Sequence, residues 1–247
     1  MVDDLFRFHT ENLRAVGEVL NRTLALTRDA IRSQDHNGER DLTLSAALLL
    51  GMKLENRLGQ IIWERGGFAP EERSEVLGAR NQHARWSLVI DIGFRRRYNV
   101  WYLDDASIGS LAATRRNRMQ SAFSEQLRPV IEMRNTLAHG QWIHPLNNKG
   151  TNKNREMASS IASESGLTLS IKDRLAHHYC QLVGDLVSTS LAFERDFDVT
   201  YEKFEATLSE LESADSSAYR AGLLSRHQRG LALRADAGFR GPSAELE

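Results

Sequence analysis

The sequence predicts an all-α fold, namely an up-and-down helical bundle with a long N-terminal helix and a C-terminal tail. Apolar residues recur every three or four positions through several long segments, which is the spacing of one face of an α-helix. No segment shows the alternation or the turn spacing of a β-sheet, and no internal repeat is visible.

The first two helices are predicted at residues 3–34 and at about 43–65, with turn residues at 34–38 between them. Aliphatic residues of the first helix form one stripe: Leu5, Leu13, Val16, Leu20, Leu24 and Ile31. The second helix carries apolar residues on two sides, which is typical of a helix at the centre of a bundle.

Glycine, proline and acidic residues mark the next boundaries. Gly66 and Gly67 end the second helix, and Pro70 begins a third, which we expect to run to about Ile92. Residues 94–103 are predicted as a loop or short irregular structure.

A fourth helix is expected from about Ala106, with Asp104 and Asp105 as its cap. The helical pattern continues to His139 but contains Pro129, which removes a backbone donor and therefore kinks or restarts the helix.

In the second half of the chain, residues 141–166 are polar and lack a period, so they predict a long exposed loop. Helical spacing returns at Ile171, and one helix is expected from there to about Leu211. Residues 213–247 are predicted as a weakly structured tail, which leaves residues 1–212 as the helical domain.

Length and composition suit one domain with appendages or two small domains, since the chain has 247 residues and 41% of them are hydrophobic. There is no run of eighteen apolar residues, and the N-terminus lacks the pattern of a secretory signal. We therefore expect a soluble cytoplasmic protein without a membrane partner. The single cysteine, Cys180, excludes an intrachain disulfide and is expected to be a buried apolar residue.

Charge is unevenly distributed along the chain. Residues 76–155 carry 13 basic and 5 acidic groups, a net +8, and residues 156–214 carry 4 and 11, a net −7. The basic block suits a polyanion such as RNA, with these arginines as candidate contacts: Arg95, Arg96, Arg97, Arg115, Arg116 and Arg118. The alternative is that they lie on solvated helix faces and are balanced in space by the acidic helix that follows.

The stretch from Met133 to Gly140 combines groups suited to RNA cleavage. Histidine exchanges protons near neutral pH, and arginine binds phosphate through two parallel hydrogen bonds. Arg134 and His139 are five residues apart and hence about 140° apart around a helix. Asn135 and His139, four apart, share a face. Either the helix end deforms near Gly140, or two subunits related by a two-fold axis build one composite site.

Glu55 lies on an apolar stripe of the second helix, where an unpaired carboxylate would be costly to bury. It is therefore expected to have a partner. Two alternatives follow: Glu55 reaches the bundle edge or pairs locally with Arg57 or Arg65, or it orients Arg134 or His139 across the bundle.

The run Arg134-Asn135-Thr136-Leu137-Ala138-His139 resembles the Arg-Asn-x-x-x-His signature of the HEPN superfamily of all-α bundles. The resemblance covers the motif and the helix arrangement of about residues 43–205. It implies a metal-independent endoribonuclease in which Arg134 and His139 are catalytic and Asn135 supports them. It also implies products that end in a 2′,3′-cyclic phosphate and a 5′-hydroxyl. Gln141 departs from members that carry a modifiable tyrosine two positions after the histidine.

The resemblance further implies a homodimer with a composite active site, a toxin or phage-defence role of the abortive-infection kind, and no cofactor. RNA is the expected substrate, and an antitoxin or another regulatory protein is a further candidate partner. The main alternative is a catalytically inactive HEPN-like module that binds a nucleotide or a protein. An unrelated helical scaffold is the third.

Just after the motif, Trp142 and His144 are candidates for stacking an unpaired RNA base. The competing interpretation is that Trp142 packs against the motif helix. No metal site is expected, because the histidines His139, His144, His177 and His178 have no acidic or cysteine partner at a ligand spacing.

Overall fold

The all-α bundle predicted from the periodicity is confirmed, including its long N-terminal helix. The computed structural model describes residues 2–147, 149–187 and 190–239, apart from the side chains of residues 105, 190–192, 194 and 235–239. Within these ranges there is no β-strand, and the only β-type pairing is an isolated bridge between Leu146 and Lys153. None of the described helices is both long and apolar enough to cross a membrane.

Helices α1 (Val2–Ser33) and α2 (His36–Trp63) form an antiparallel hairpin with a very short turn. Gln34 takes a left-handed conformation (φ 59°), and Asp35 caps α2 by accepting a hydrogen bond from the Gly38 backbone N–H at 2.9 Å. The second helix thus begins at His36, several residues before the predicted start. Turn-forming residues were misleading here because the first turn of a helix tolerates them once a cap precedes it.

The expected third helix is in fact two, α3 (Pro70–Gly78) and α4 (Gln82–Tyr98). The break is explained by Asn81, whose Oδ1 accepts a hydrogen bond from the Ala84 backbone N–H at 2.9 Å and so starts a new helix. The predicted loop at residues 94–103 is also wrong in its first half. Helix α4 runs through Tyr98 and ends at Asn99, which is left-handed (φ 53°).

The expected fourth helix starts where its cap predicts, because Asp104 Oδ1 accepts the Ser107 backbone N–H at 2.6 Å. It stops after one turn, α5 (Asp105–Ile108), and resumes as α6 (Ser110–Ala122). A π-helical turn (Phe123–Leu127) then leads into α7 (Arg128–Ala138).

The π-helical turn shows how the chain accommodates Pro129. Its wider hydrogen bond runs from the Arg128 backbone N–H to the Phe123 carbonyl. The proline falls in the first turn of α7, where a missing backbone N–H costs little. The backbone stays helical throughout, so the proline is accommodated by the wider π-helical turn without a break in the helix.

The predicted loop at residues 141–166 contains a further helix, α8 (Arg155–Ser163). The predicted single helix beyond it is a pair, α9 (Gly166–Val187) and α10 (Ser190–Glu212). These two helices pack side by side, with the rings of Tyr179 and Phe204 6.4 Å apart. Periodicity did not distinguish the pair from one helix because both helices keep the same apolar spacing.

Residues 216–239, predicted as part of a weakly structured tail, form helix α11 (Ser216–Phe239). Leu223 is buried, and the Arg220 guanidinium forms an ion pair with Glu39 of α2. The tail thus contacts the bundle through its first turns. The division of the chain at residue 212 into domain and tail stays a prediction.

The core surrounds α2, which buries one of its two apolar sides completely, whereas Leu48, Met52 and Gly59 on the other side are only half-buried. Its largest group is an aromatic cluster in which the Trp86, Phe123 and Tyr179 rings lie 5.5 to 5.6 Å apart. This cluster joins α4, the π-helical turn and α9. Cys180 is buried as expected, and burial raises the pKa of its thiol to about 11.

Candidate functional site

The motif occupies the outer face and the end of α7. Val130, Met133 and Leu137 fix the helix by burying its inner face. Beyond Ala138 the chain leaves helical geometry at His139 (φ −86°, ψ 13°), and Gly140 takes the left-handed conformation (φ 75°) that its residue type predicts. His139 is therefore presented to solvent at a fixed helix end.

Arg134 lies where α7 crosses α2 at close range. A Cβ atom added to Gly51 of α2 would lie 2.3 Å from the Arg134 Cβ and 3.1 Å from the Val130 carbonyl oxygen. Gly51 is therefore the residue that lets the two helices approach. This crossing puts the Arg134 side chain across the surface of α2.

The Arg134 guanidinium is held from two sides. Its Nη2 donates to Glu55 Oε2, and its Nη1 donates to Asn135 Oδ1 at 2.7 Å. The other oxygen of Glu55 accepts a hydrogen bond from Gln82 Nε2 at 3.1 Å. Three helices, α2, α4 and α7, thus meet at one carboxylate.

Of the two alternatives predicted for Glu55, the structure shows the one in which its carboxylate forms a contact across the bundle. Arg57 hydrogen-bonds Gln60 instead, and Arg65 pairs with Asp3. The side chains of Arg134 and Glu55 are 28% and 41% exposed. Because solvent screens a pair with this exposure, its contribution to stability is about 1 kcal/mol or less, so positioning is its main effect.

Asn135 connects the arginine to the histidine's side of the helix. It accepts from the Arg134 guanidinium, and its backbone carbonyl accepts the His139 backbone N–H at 3.2 Å. The Arg134 guanidinium is therefore held beside Asn135, the residue that shares a helix face with His139. In the part of the chain that the structure describes, no side-chain hydrogen bond joins His139 to either residue.

His83 and its neighbour Gln82, in the first turn of α4, were not predicted as part of this region. The His83 ring lies 5.8 Å from the Phe123 ring, and its Nε2 is 3.4 Å from Ser124 Oγ. Burial, and then the positive charge of Arg128, lowers the pKa of His83 below its usual value. No local pattern marks these residues, because their contacts lie far away in sequence.

The predicted RNA-binding arginines of α4 are engaged within the fold. Arg95 pairs with Glu75 at 3.4 Å, and Arg96 pairs with Glu72 at 3.3 Å. The Arg97 guanidinium lies over the Phe193 ring, 4.1 Å from its centre. All three link α4 to neighbouring elements.

The arginines of α6 are engaged in the same way. Arg116 pairs with Asp91 of α4 at 2.8 Å. The other two face the acidic helix α10, as the alternative interpretation of the charge pattern anticipated. These contacts are Arg115 with Asp198 at 2.6 Å, and Arg118 with Glu205 at 3.2 Å and Glu212 at 3.6 Å.

A cleft of about 430 Å³ opens beside the end of the motif, between α2, α8 and the segment after Gly140. We call it the Trp142 cleft, and its apolar walls include Leu44, Trp142, Pro145 and Ile161. Trp142 is half-buried and packs against the core, whereas His144 is exposed. Gln141 holds this segment in place by accepting the Leu146 backbone N–H at 2.8 Å.

Among the described residues, no group of three or more histidine, cysteine, aspartate or glutamate side chains is arranged to hold a metal ion. No protein-family model, curated protein or solved structure matches this chain.

Proposed function

We propose that the protein is an endoribonuclease that cleaves RNA without a metal ion, by attack of a 2′-hydroxyl on the adjacent phosphate. The observation that carries this proposal is the position of Arg134, whose partly exposed guanidinium is held by Glu55 and by Asn135, the residue that shares a helix face with His139. Arg134 and His139 are the proposed catalytic residues. Asn135 supports them, and Glu55 positions Arg134.

The roles follow from the chemistry of each group. His139, whose ring is exposed, takes the proton of the attacking 2′-hydroxyl as a general base, and the protonated ring or water then gives a proton to the leaving 5′-oxygen. Arg134 stabilises the charge that develops on the phosphate. A guanidinium has five N–H donors, and Glu55 and Asn135 use two of them, so donors are left for a phosphate.

The Trp142 cleft supports a single-stranded substrate. Trp142, which forms its aromatic wall, is three residues after His139 in the sequence. An aromatic wall of this kind suits an unpaired base. We assign the base next to the cleaved bond to this cleft. The arginines of α4 and α6 are not part of the proposed RNA surface, because their charges are engaged within the fold.

We propose a homodimer in which each subunit contributes to a shared site. Ile143 and Leu146, which follow the motif, are 67% and 39% exposed, and a second copy would bury them. A toxin or phage-defence role, with an antitoxin or another regulator as partner, rests on the family resemblance alone.

A second candidate function is favoured by one observation. Glu55 neutralises Arg134, so the protein is an inactive HEPN-like module if that contact persists when RNA binds. In that case the motif serves to cap α7 and to hold α2 against it, and the protein binds a nucleotide or a protein partner.

The test is to incubate the full chain with single-stranded RNA in excess chelator. We expect cleavage that Arg134→Ala and His139→Ala each reduce by at least about a hundredfold, as loss of one transition-state contact does. His227→Ala is the matched control, since it removes a histidine of α11 that lies outside the motif and the segment after it. Equal cleavage by the motif variants and wild type contradicts the proposal, and absence of cleavage by wild type favours the inactive module.

A further inference from the structure

We propose that a small cavity between α1, α2 and α9 is a binding site for a phosphate-type oxyanion. The cavity has a volume of about 120 Å³. Its polar lining comes from Lys53, Arg57, His177 and Cys180. This site is on a different face of α2 from Glu55, and the inference does not depend on the proposed nuclease activity.

Two cationic side chains face the cavity from consecutive turns of α2. Lys53 and Arg57 are four residues apart, so they lie on one face of the helix. Lys53 pairs with Asp173 of α9 at 2.5 Å, and both side chains are largely buried. One positive charge is therefore balanced within the fold.

Arg57 has only neutral partners within the structure described. Its Nη1 donates to Gln60 Oε1, and its guanidinium also contacts the Cys180 thiol. Gln60 is fixed in turn, because its Nε2 donates to Thr10 Oγ1 at 2.8 Å. A partly buried guanidinium without a carboxylate is costly, and an anion in the cavity would compensate it.

The other lining groups leave the cavity receptive to an anion. Burial, then the neighbouring ring of His178 and the charges of Arg57 and Lys53, lowers the pKa of His177, and the ring has an N–H donor for an anion in either protonation state. The Cys180 thiol, with a pKa of about 11, stays protonated and does not repel an anion. The cavity thus has one uncompensated positive charge and no free negative one.

The shape of the donors selects the ligand class. A planar guanidinium fork beside an ammonium group is the arrangement that binds phosphate oxygens. Apolar walls from Leu13, Leu54 and Ala176 limit the space to a few water molecules' volume. The cavity therefore has room for inorganic phosphate or for the phosphate group at the end of a phosphate monoester.

Isothermal titration calorimetry of the full chain with inorganic phosphate tests the site, with acetate and chloride at matched ionic strength as comparisons. We expect saturable binding of one phosphate, at least tenfold weaker binding of acetate, and at least a tenfold loss of phosphate affinity in Arg57→Gln. Arg22→Gln, at an exposed position of α1, is the matched control and should bind as wild type does. Arg134→Gln should also retain binding, which separates this cavity from the motif.

A second readout uses the wild-type protein. It is the NMR signal of the His177 ring in a histidine-labelled sample. Phosphate should shift this signal along a saturable curve with the calorimetric affinity, while the His144 resonances stay in place. The proposal is overturned if phosphate gives no saturable heat, if Arg57→Gln binds as tightly as wild type, or if the His177 resonances do not respond.

Discussion

At the residue scale, the contact between Glu55 and Arg134 defines the candidate site. The sequence identified the motif because its residues are close along the chain, and it marked Glu55 as a carboxylate in need of a partner. It left two alternatives open for that partner, because the choice depends on how α2 and α7 cross. Gln82 and His83 were missed because they reach this region only through tertiary packing.

Glu55→Gln tests the positioning role. The variant keeps the shape of the side chain but removes the charge that holds Arg134, so we expect cleavage to fall about tenfold, less than for loss of a transition-state contact itself. The free energy of unfolding should change by less than about 1 kcal/mol, because the pair is partly exposed. Single-turnover cleavage rates and urea unfolding are the measurements.

The matched control is Glu132→Gln, which removes a carboxylate of α7 that pairs with Arg128 at the surface. It should leave the cleavage rate within about twofold of wild type. If the two variants lose activity equally, the loss comes from removing any nearby negative charge, and Glu55 has no specific positioning role.

At the scale of elements, periodicity predicted that helices exist and which faces they bury, but many of their boundaries were wrong. The failures share a cause, since single capping residues such as Asp35 and Asn81 decide where a helix starts. Helix crossings were beyond the sequence for a different reason. No pattern in the sequence distinguishes Gly51 from other positions of α2, because its importance comes from the close approach of Arg134.

Gly51→Ala should disturb the crossing of α2 and α7. The added methyl group would overlap the Arg134 Cβ and press on the Val130 carbonyl, so we expect a loss of stability of about 1 to 3 kcal/mol together with a loss of cleavage. Gly17→Ala in α1 is the control. Nothing lies within 4 Å of its Cβ position, and it should stabilise the protein by up to about 1 kcal/mol.

Thermal or urea unfolding of both glycine variants provides the measurement. A Gly51→Ala protein with wild-type stability and wild-type cleavage would show that α2 and α7 do not approach as closely as described.

The end of α9 provides a prediction about pH. Burial, and then the nearby carboxylate of Asp196, raises the pKa of Asp185 from 3.8 to about 6. Because the folded state holds this proton more tightly, the stability it contributes is present below pH 4 and is lost as the pH rises to about 6. The ionised carboxylate also faces the negative end of its helix.

Asp185→Asn should therefore match wild type near pH 4 and exceed it at pH 7, by roughly 1 kcal/mol once solvent screening is allowed for. Urea unfolding at the two pH values measures this difference. Asp29→Asn, at an exposed position of α1, should show no such gain. A stability difference that is the same at both pH values contradicts the assigned pKa.

At the scale of the whole molecule, the sequence located the basic segment but not its partner in space. Both interpretations of the charge pattern used the same composition, and only the packing of α6 beside α10 separates them. Arg115 and Arg118 meet carboxylates that lie 83 and 87 residues later in the chain. A contact at that separation leaves no local signal in the sequence.

Arg118→Gln should therefore act on stability and leave RNA binding unchanged. Loss of its pairs with Glu205 and Glu212 should lower the free energy of unfolding by up to about 1 kcal/mol, since the side chains are partly exposed. RNA affinity and its dependence on salt should stay as in wild type, whereas loss of a phosphate contact lowers the salt slope by about 1. Fluorescence anisotropy over a range of salt concentrations measures the affinity and the salt slope, and so distinguishes a structural role of Arg118 from a phosphate contact.

The central claim, that the motif cleaves RNA through the 2′-hydroxyl, is tested most directly by one substrate pair. An RNA oligonucleotide is compared, in chelator, with the same oligonucleotide carrying a single 2′-deoxynucleotide at the cleaved position. We predict that the RNA is cut to a 2′,3′-cyclic phosphate and a 5′-hydroxyl, and that the deoxy substitution abolishes cleavage at that bond. Equal cleavage of both substrates, or cleavage that appears only when a divalent metal is added, would contradict the account.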